Sequence, residues 1–457
     1  MGTLSASLNI ALGSLLTQED GIATTSNNIA NVNTPGYSRQ VANFAETPPV
    51  QLGTASFGTG VQLQSVSSLR DPIMDLRVNQ ETQQQGQLNA FISSGQQIQA
   101  LFNQTSGTGL QTPLTAFFNS LSQLAANPSD INTRQGVITA SQNLASAFNQ
   151  TSANLATLQR NTDTSVAQTV SQINSLTTQI ATVNTQVSDA TGAGQNAGPF
   201  IDQRQQLLTQ LSSLVDISEI NAGSGSLTIT TTSGAPLVVA NKSFALSTQP
   251  NAAGFQDVYS QGTDITANIS SGQLAGELQI RDQEIPATQN SLDALAFNLA
   301  NSVNAQSVAG TDLNGQPGTN LFVAPVAQAG AAGALAVAIS DPTKIAAAQD
   351  GTPGDNANAN ALLALQNQNI VSGQTPLNYY SNTVYKIGND VSAAQSNASA
   401  GGAVLQQLQN LQGGVSSVDI NEEAANLIRY QNAYQASAQV SAVIDALLQT
   451  TITTFIP

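Results

Sequence analysis

The sequence predicts a mainly α chain with an inserted β domain. Its terminal helices form a coiled-coil-like core domain, a long helical bundle forms the middle domain, and a smaller β-rich domain faces outward. Three observations lead there. Apolar residues recur every seven positions at both ends of the chain. Helical patterning dominates from about residue 72 to 215. Residues 217–248 then change to short β-rich runs between Gly and Asn turns. With 457 residues the chain has room for about two to four domains at ~100–200 residues each. The expected division is 1–33 with 418–457 for the core, 34–216 with 281–417 for the middle, and 217–280 for the β-rich part.

At the N-terminus, Leu8, Leu15, Ile22 and Ile29 stand seven apart, with Leu4, Ala11 and Leu12 beside them. This is a narrow heptad stripe on an otherwise small and polar helix. "NTPG" (33–36) stops it. Thr34 precedes a proline and is pushed to extended geometry. Pro35-Gly36 suits the two central positions of a type II turn. Loose alternation over 37–44, and clearer alternation over 60–66, predicts strands.

The longest helical pattern runs from about 139 to 190, where Val166, Ile173, Ile180 and Val187 repeat at sevens. "TGAGQNAG" (191–198) ends it, and "FIDQRQQLLTQLSSLV" (200–215) begins another amphipathic helix. Asp202 and Arg204 in that stretch suit a structural ion pair or cap. Helix returns at 292–306. Gly-, Pro- and Ala-rich loops follow to about 360. Further helix is expected at 361–370 and 377–412, with Gly413-Gly414 as a stop. "GTDLNGQPG" (310–318) has too few acids at the right spacing for a calcium loop.

Near the C-terminus Asp419 is a good N-cap, and Glu422 three residues on completes a capping-box-like pair. Ile420, Leu427, Tyr434, Leu448 and Phe455 share one heptad column, with Ser441 as its gap. The helix spans about 35 residues, roughly 50 Å.

Composition removes whole classes of function. The net charge is -16 with 11 basic residues, and these are not clustered. Nucleic acid and anionic membrane surfaces are poor partners for such a chain. There is no Cys and no His, so Cys nucleophiles, His bases and the usual zinc ligand sets are absent. No cofactor or metal site is expected. The start has no basic segment before its apolar residues, unlike a cleaved secretory signal. No apolar run approaches the ~18 residues of a membrane span.

Each terminal helix has only five or six sizeable apolar residues on its stripe. Their full burial yields on the order of 10–15 kcal/mol, against ~1–2 kcal/mol per residue for fixing about 30 residues of backbone. Either the two ends pair and complete their order among neighbouring copies, or they dock on their own domain as ordinary amphipathic helices.

"ANVNTPGYSR" (30–39) resembles the A-N-x-x-T-x-G-Y-x-R signature of bacterial flagellar rod, hook and hook-associated axial proteins. The matching residues are Ala30, Asn31, Thr34, Gly36, Tyr37 and Arg39. "VDINEEAANLIRYQNAYQASAQV" (418–440) resembles the partner signature at the other end, and carries Asn421 where the family more often has Asp. Inner blocks at 200–217, 271–306 and 341–368 resemble the hook-associated branch that joins hook to filament.

The resemblance implies a structural, non-enzymatic role in an extracellular tube, with export through the flagellar type III channel without a cleaved signal. It implies self-assembly, contacts with hook protein and hook-associated protein 3, and an export chaperone on the C-terminal helix. The stripe residues Leu8, Leu15, Ile22, Ile29, Ile420, Leu427, Tyr434 and Leu448 then become assembly contacts. Tyr37 and Arg39 either fix the N-terminal helix to the next domain, with Arg39 on a carboxylate or a helix C-terminus, or are a locally packed Tyr and a solvated Arg. Some members carry a large extra domain after 309–322, which this chain lacks the length for. Another axial component, such as a hook or distal rod protein, and a secreted carboxylate-based glycan hydrolase are the alternatives.

Overall fold

The structure, a computed structural model, describes residues 2–52, 55–102, 109–221, 225–352 and 354–455. Helix α1 (Gly2–Ala30) is followed by a hairpin of four strands: β1 (Gln40–Glu46), β2 (Val50–Leu52), β3 (Ala55–Phe57) and β4 (Val61–Ser68). β1 pairs with β4 antiparallel, from Gln40↔Ser68 to Glu46↔Val61, with a bulge at Asn43/Phe44. β2 and β3 continue the ribbon toward its tip. The strands expected around 37–44 and 60–66 are the two arms of this hairpin.

Helix α2 (Pro72–Leu101) starts where Asp71 accepts from the N–H groups of Ile73 and Met74, with Pro72 at the first helical position. Helices α3 (Gln111–Ala126) and α4 (Ile131–Gly192) follow. α4 has 62 residues, roughly 93 Å of continuous helix. It breaks at the expected Gly-rich stretch before α5 (Gly198–Leu214).

The chain then forms two antiparallel sheets. β5 (Ser218–Asn221), β6 (Leu227–Thr230), β7 (Pro236–Val239) and β8 (Lys242–Ser243) pair in chain order. β9 (Leu246–Pro250), β10 (Gln256–Ser260) and β11 (Thr263–Asp264) make the second sheet.

α6 (Gly272–Gln279) runs through a π turn, Ile280–Glu284, into α7 (Ile285–Val308). The widened turn lies directly before Pro286, whose ring and missing N–H disfavour regular α-helix. In this turn Arg281 is fully buried. It reaches Asp163 on α4 at 2.8 Å, Asp257 on β10 at 3.4 Å and its neighbour Asp282 at 2.7 Å. One side chain thus clamps the long helix, the second sheet and the α6–α7 break.

A loop-rich segment with the single-turn α8 (Ala331–Ala334) leads to α9 (Ala357–Ala364), α10 (Pro376–Ser416) and α11 (Ile420–Phe455). α10 passes through Gly413-Gly414, the expected stop, and ends at Ser416. Ser417 turns extended there, directly before the Asp419 cap of α11. Glycine weakens a helix by only about 1 kcal/mol, too little to end a 41-residue helix packed on α2.

Two cores fill the body. The first joins α2, α3, the first half of α4, α7 and α9, with Phe117, Leu121, Phe148 and Leu299 fully buried. The second joins the other half of α4 with α5, α6 and the sheets, through Ile173, Ile180, Leu211, Ile229, Val238 and Val258. The strand-rich region therefore shares its core with three helices and has no separate core among the described residues.

Candidate functional site

The terminal helices lie antiparallel. Ser14 and Ser437 hydroxyls meet at 2.8 Å, Gly21 faces the Tyr430 ring, and Asn28 donates to Glu423 at 3.1 Å. These positions define the seam on α1: Ala11, Ser14, Gln18, Gly21, Thr25 and Asn28, spaced alternately by three and four. It is a coiled-coil spacing built from small and polar residues. Gly21 is required by the close approach, since a Cβ there would stand 3.0 Å from the Tyr430 ring. Tyr430 in turn meets Phe44 of the hairpin edge-on, at 6.1 Å between centroids. The hairpin runs down α1, from Asn28 beside Gln40 to Thr17 donating to the Val61 carbonyl and Gly60 against Ile10.

The heptad residues singled out in the sequence flank this seam. Leu8, Leu15, Ile22 and Ile29 are half-buried, as are Leu427 and Leu448, whereas Ile420 and Tyr434 are exposed. The Phe455 side chain lies outside the described residues. Buried apolar residues on the described parts of α1 and α11 come down to Ala11 and Ile444. Several apolar side chains face outward instead: Leu12, Leu16, Ile428, Val440, Val443 and Leu447 are all exposed.

Beneath the rod, the N-terminal motif forms a tight joint. Pro35 and Gly36 occupy the centre of the expected turn, closed by Tyr37 N–H on the Thr34 carbonyl at 3.2 Å, with Gly36 at φ +77°. That φ favours glycine, and a Cβ at Gly36 would also collide with Gln206 of α5. Ala30 is the last, exposed residue of α1. Asn31 donates back to the Asn27 carbonyl and accepts from Thr34. The motif's Asn and Thr thus close the C-terminal end of α1.

Tyr37 donates to Asn28 Oδ1 at 2.8 Å and lies near Asn27 Oδ1 at 3.0 Å. Burial, reinforced by the nearby charges of Asp202 and Glu423, pushes its phenol up to about 12, so it stays a donor at any physiological pH. Asn28 is 1% exposed. Its amide also exchanges two hydrogen bonds with the Gln40 backbone, at 2.8 and 2.9 Å.

Arg39 settles on carboxylates. Nε donates to Glu423 at 2.7 Å and a terminal nitrogen to Glu422 at 2.6 Å. Burial works against its charge, but the two carboxylates outweigh that and hold its pKa above the usual value. Its backbone N–H bonds the Ser416 carbonyl at the end of α10. Glu422 is therefore held by Arg39 rather than completing the reciprocal cap expected with Asp419. Asp419 alone caps, accepting from Asn421 N–H at 2.8 Å. The Arg39 charge sits at the N-terminal end of α11, and two glutamates offset the unfavourable dipole there.

A second ion-pair set ties this joint to the body. Ser38 N–H donates to Asp202 at 2.9 Å, and Arg70 bridges Asp202 at 3.0 Å and Asp75 at 3.2 Å. Asp75 also accepts from Gln412 of α10. Burial raises the Asp202 pKa, opposed chiefly by the Ser38 N–H and Arg70. Asp202 thus makes a structural ion pair, with Arg70 and not with Arg204, because residues two apart on a helix face different ways. Arg204 instead reaches Asn184 on α4 at 3.0 Å and the Gly225 carbonyl at 2.6 Å.

Sequence reasoning missed Asn28, Arg70, Asp75 and Glu423 as members of the joint. Asn28 and Glu423 could have been found as polar residues standing at seam spacing. Arg70 and Asp75 carry no such signal. The joint opens on a cleft of about 640 Å³ lined by polar residues of the turn, α5 and the end of α10. No group of three or more metal-ligating side chains occurs among the described residues, and no described helix is long and apolar enough to cross a membrane.

Three family models match separate parts of the chain. The flagellar hook-associated protein FlgK helical domain covers residues 95–322, the flagella basal body rod protein model residues 8–37, and the flagellar basal body rod FlgEFG protein C-terminal model residues 412–454. The chain is 28% identical to flagellar hook-associated protein 1 of Escherichia coli (strain K12), over 97% of this chain and 100% of the relative. It is 28% identical to the same-named protein of Bacillus subtilis (strain 168), over 97% of each. The Escherichia coli alignment runs to 545 positions, so that relative carries segments absent from these 457 residues. The flagellar hook junction protein FlgK of Burkholderia pseudomallei shares the fold, with TM-score 0.66 at 19% identity, over 74% of this chain and all of that one. With both end signatures and the intervening helical domain matched, the chain belongs to the hook-associated protein 1 family of structural flagellar axial proteins.

Proposed function

We propose that this chain joins hook to filament as a helical ring of subunits, its terminal rods packing side by side at the centre. One observation carries the reading. The α1 side of the seam is small and polar, while Leu12, Leu16, Ile428, Val440, Val443 and Leu447 are exposed on the rod. A rod built this way is held in register by its own hydrogen bonds and gains its apolar burial from neighbours.

The division of labour follows. Residues 1–33 with 418–457 form the inner rod, 34–216 with 281–417 the next shell, and 217–280 the outer face. The Arg39 and Arg70 ion-pair sets transmit load from rod to body, because they link the start of α11, the end of α10, α2 and α5 at one point. The stripe residues Leu8, Leu15, Ile22, Ile29, Leu427 and Leu448 serve as shared contacts, half used within the rod and half offered outward. The partners are further copies, hook protein on one side and hook-associated protein 3 on the other. Before assembly, a chaperone covers the outward face of α11, and export uses an uncleaved N-terminal signal. The role is mechanical, and a glycan-turnover assay is expected to show nothing.

The test is deletion of residues 420–457. The shortened chain should keep a folded body by near-ultraviolet circular dichroism yet fail to add to hook tips. Filaments of normal number from that chain would end the proposal.

A further inference from the structure

Two exposed apolar patches lie at the same far end of the rod. The first is the hairpin tip, where Val50 and Phe57 sit directly opposite each other and are 50% and 55% exposed. The tip continues up to roughly 13 Å past the last β1–β4 rung, at about 3.3 Å per residue. That last rung, Glu46–Val61, already lies level with Gly13 and Thr17 of α1. The second patch is a ridge of Val440, Val443 and Leu447 on α11, at i, i+3 and i+7 and therefore on one face. The antiparallel pairing of Ser14 with Ser437 puts this ridge level with the first residues of α1.

Within one chain neither patch covers the other, since both are exposed. Residues 47–60 contain no charged side chain, so the tip enters an apolar contact without a desolvated ion. A two-stranded ribbon is marginal alone in water and gains order from a surface to lie on.

We propose that the Val50–Phe57 tip of one copy seats on the Val440–Val443–Leu447 ridge of a second copy. The inference rests on the rod-packing reading above and adds the element that sets direction. The contact joins two different patches, so it is heterologous: every bound copy still offers a free tip and a free ridge. Such a contact propagates around a ring or helix, whereas a self-complementary patch would close into a dimer.

The native chain has no Cys, which makes cross-linking clean. Full-length chains carrying Phe57→Cys alone and Val443→Cys alone are co-expressed in cells lacking the native copy, and sheared hook–filament complexes are oxidised. A disulfide joining one variant to the other can form only between copies. Its appearance, with none when Lys242→Cys replaces Val443→Cys, is the expected result. In parallel, Val50→Thr with Phe57→Thr keeps strand propensity and should leave the thermal midpoint unchanged, while lowering retention at hook tips by about tenfold. Normal retention of that variant, or no cross-link from position 57 to 440, 443 or 447, would overturn the inference. If retention stays normal here while the 420–457 deletion abolishes it, the tip contact falls and the rod-packing reading stands.

Discussion

The helical body and the terminal rod use the same secondary structure in opposite ways. In the body, α3 and α4 bury Phe117, Leu121, Leu144 and Phe148 completely. In the rod, two long helices bury Ala11 and Ile444 and leave other apolar side chains, such as Leu16 and Val443, exposed. The body encloses its large apolar side chains in two cores. The rod is a hydrogen-bonded frame whose apolar groups face away from it. The difference shows that helix length alone does not report self-sufficiency; where the large side chains point does.

Substitutions in the two regions should separate accordingly. Phe117→Ala removes a fully buried ring from the first core and should cost about 3–5 kcal/mol, read as a lower urea midpoint. Leu16→Ala on the rod should leave that midpoint within about 0.5 kcal/mol and act on hook-tip retention instead. Comparable losses from both changes would erase the contrast.

Arg281→Met tests the clamp between the β-rich region and the helices. It leaves Asp163 and Asp257 without their buried cation and should destabilise by about 3–5 kcal/mol. The effect should appear first as exposure of residues around β10. A smaller step is expected at the joint. Asn28→Ala leaves Glu423 and the Gln40 backbone short of partners and should cost about 1–3 kcal/mol. Hydrogen exchange should place that loss in the rod and hairpin while α3 and α7 keep their protection.

The smallest effect concerns pH. Burial holds Asp216, Glu219 and Glu277 above the usual carboxylate range. The folded state therefore binds their protons more tightly than the unfolded chain. Stability should rise as pH falls from neutral through the folded-state pKa values, then level off below the unfolded ones near ~4. Asp216 is the sharpest probe, because its Oδ1 is buried with no partner among the described residues. Asp216→Asn should raise the pH 7 midpoint and flatten the rise on acidification. A midpoint that falls from pH 7 to pH 5 in the parent chain would contradict this.

Much of the architecture could be read from residue pattern. The turn was legible at Pro35-Gly36 because only a few residues suit a left-handed centre. The long central helix was legible from Val166 to Val187 because its core face is large and apolar. The rod seam was not, because Ser14, Gly21 and Thr25 carry no hydrophobic signal, and the seven-spaced Leu and Ile residues drew attention to the flanks. The motif around Arg39 was legible, but a joint and a solvated Arg fitted it equally, since the carboxylates that hold it lie more than 380 residues away in sequence. Only folding brings them together. The stop expected at Gly413-Gly414 failed because packing along α2 outweighs two glycines.

Hydrogen exchange of the dilute, full-length chain tests the central claim most directly. The account predicts slow exchange through α3, α4 and α7, and exchange faster by orders of magnitude along α1, α11 and the hairpin tip. Protection of both terminal helices equal to that of the body, in a chain shown to be monomeric, would contradict it.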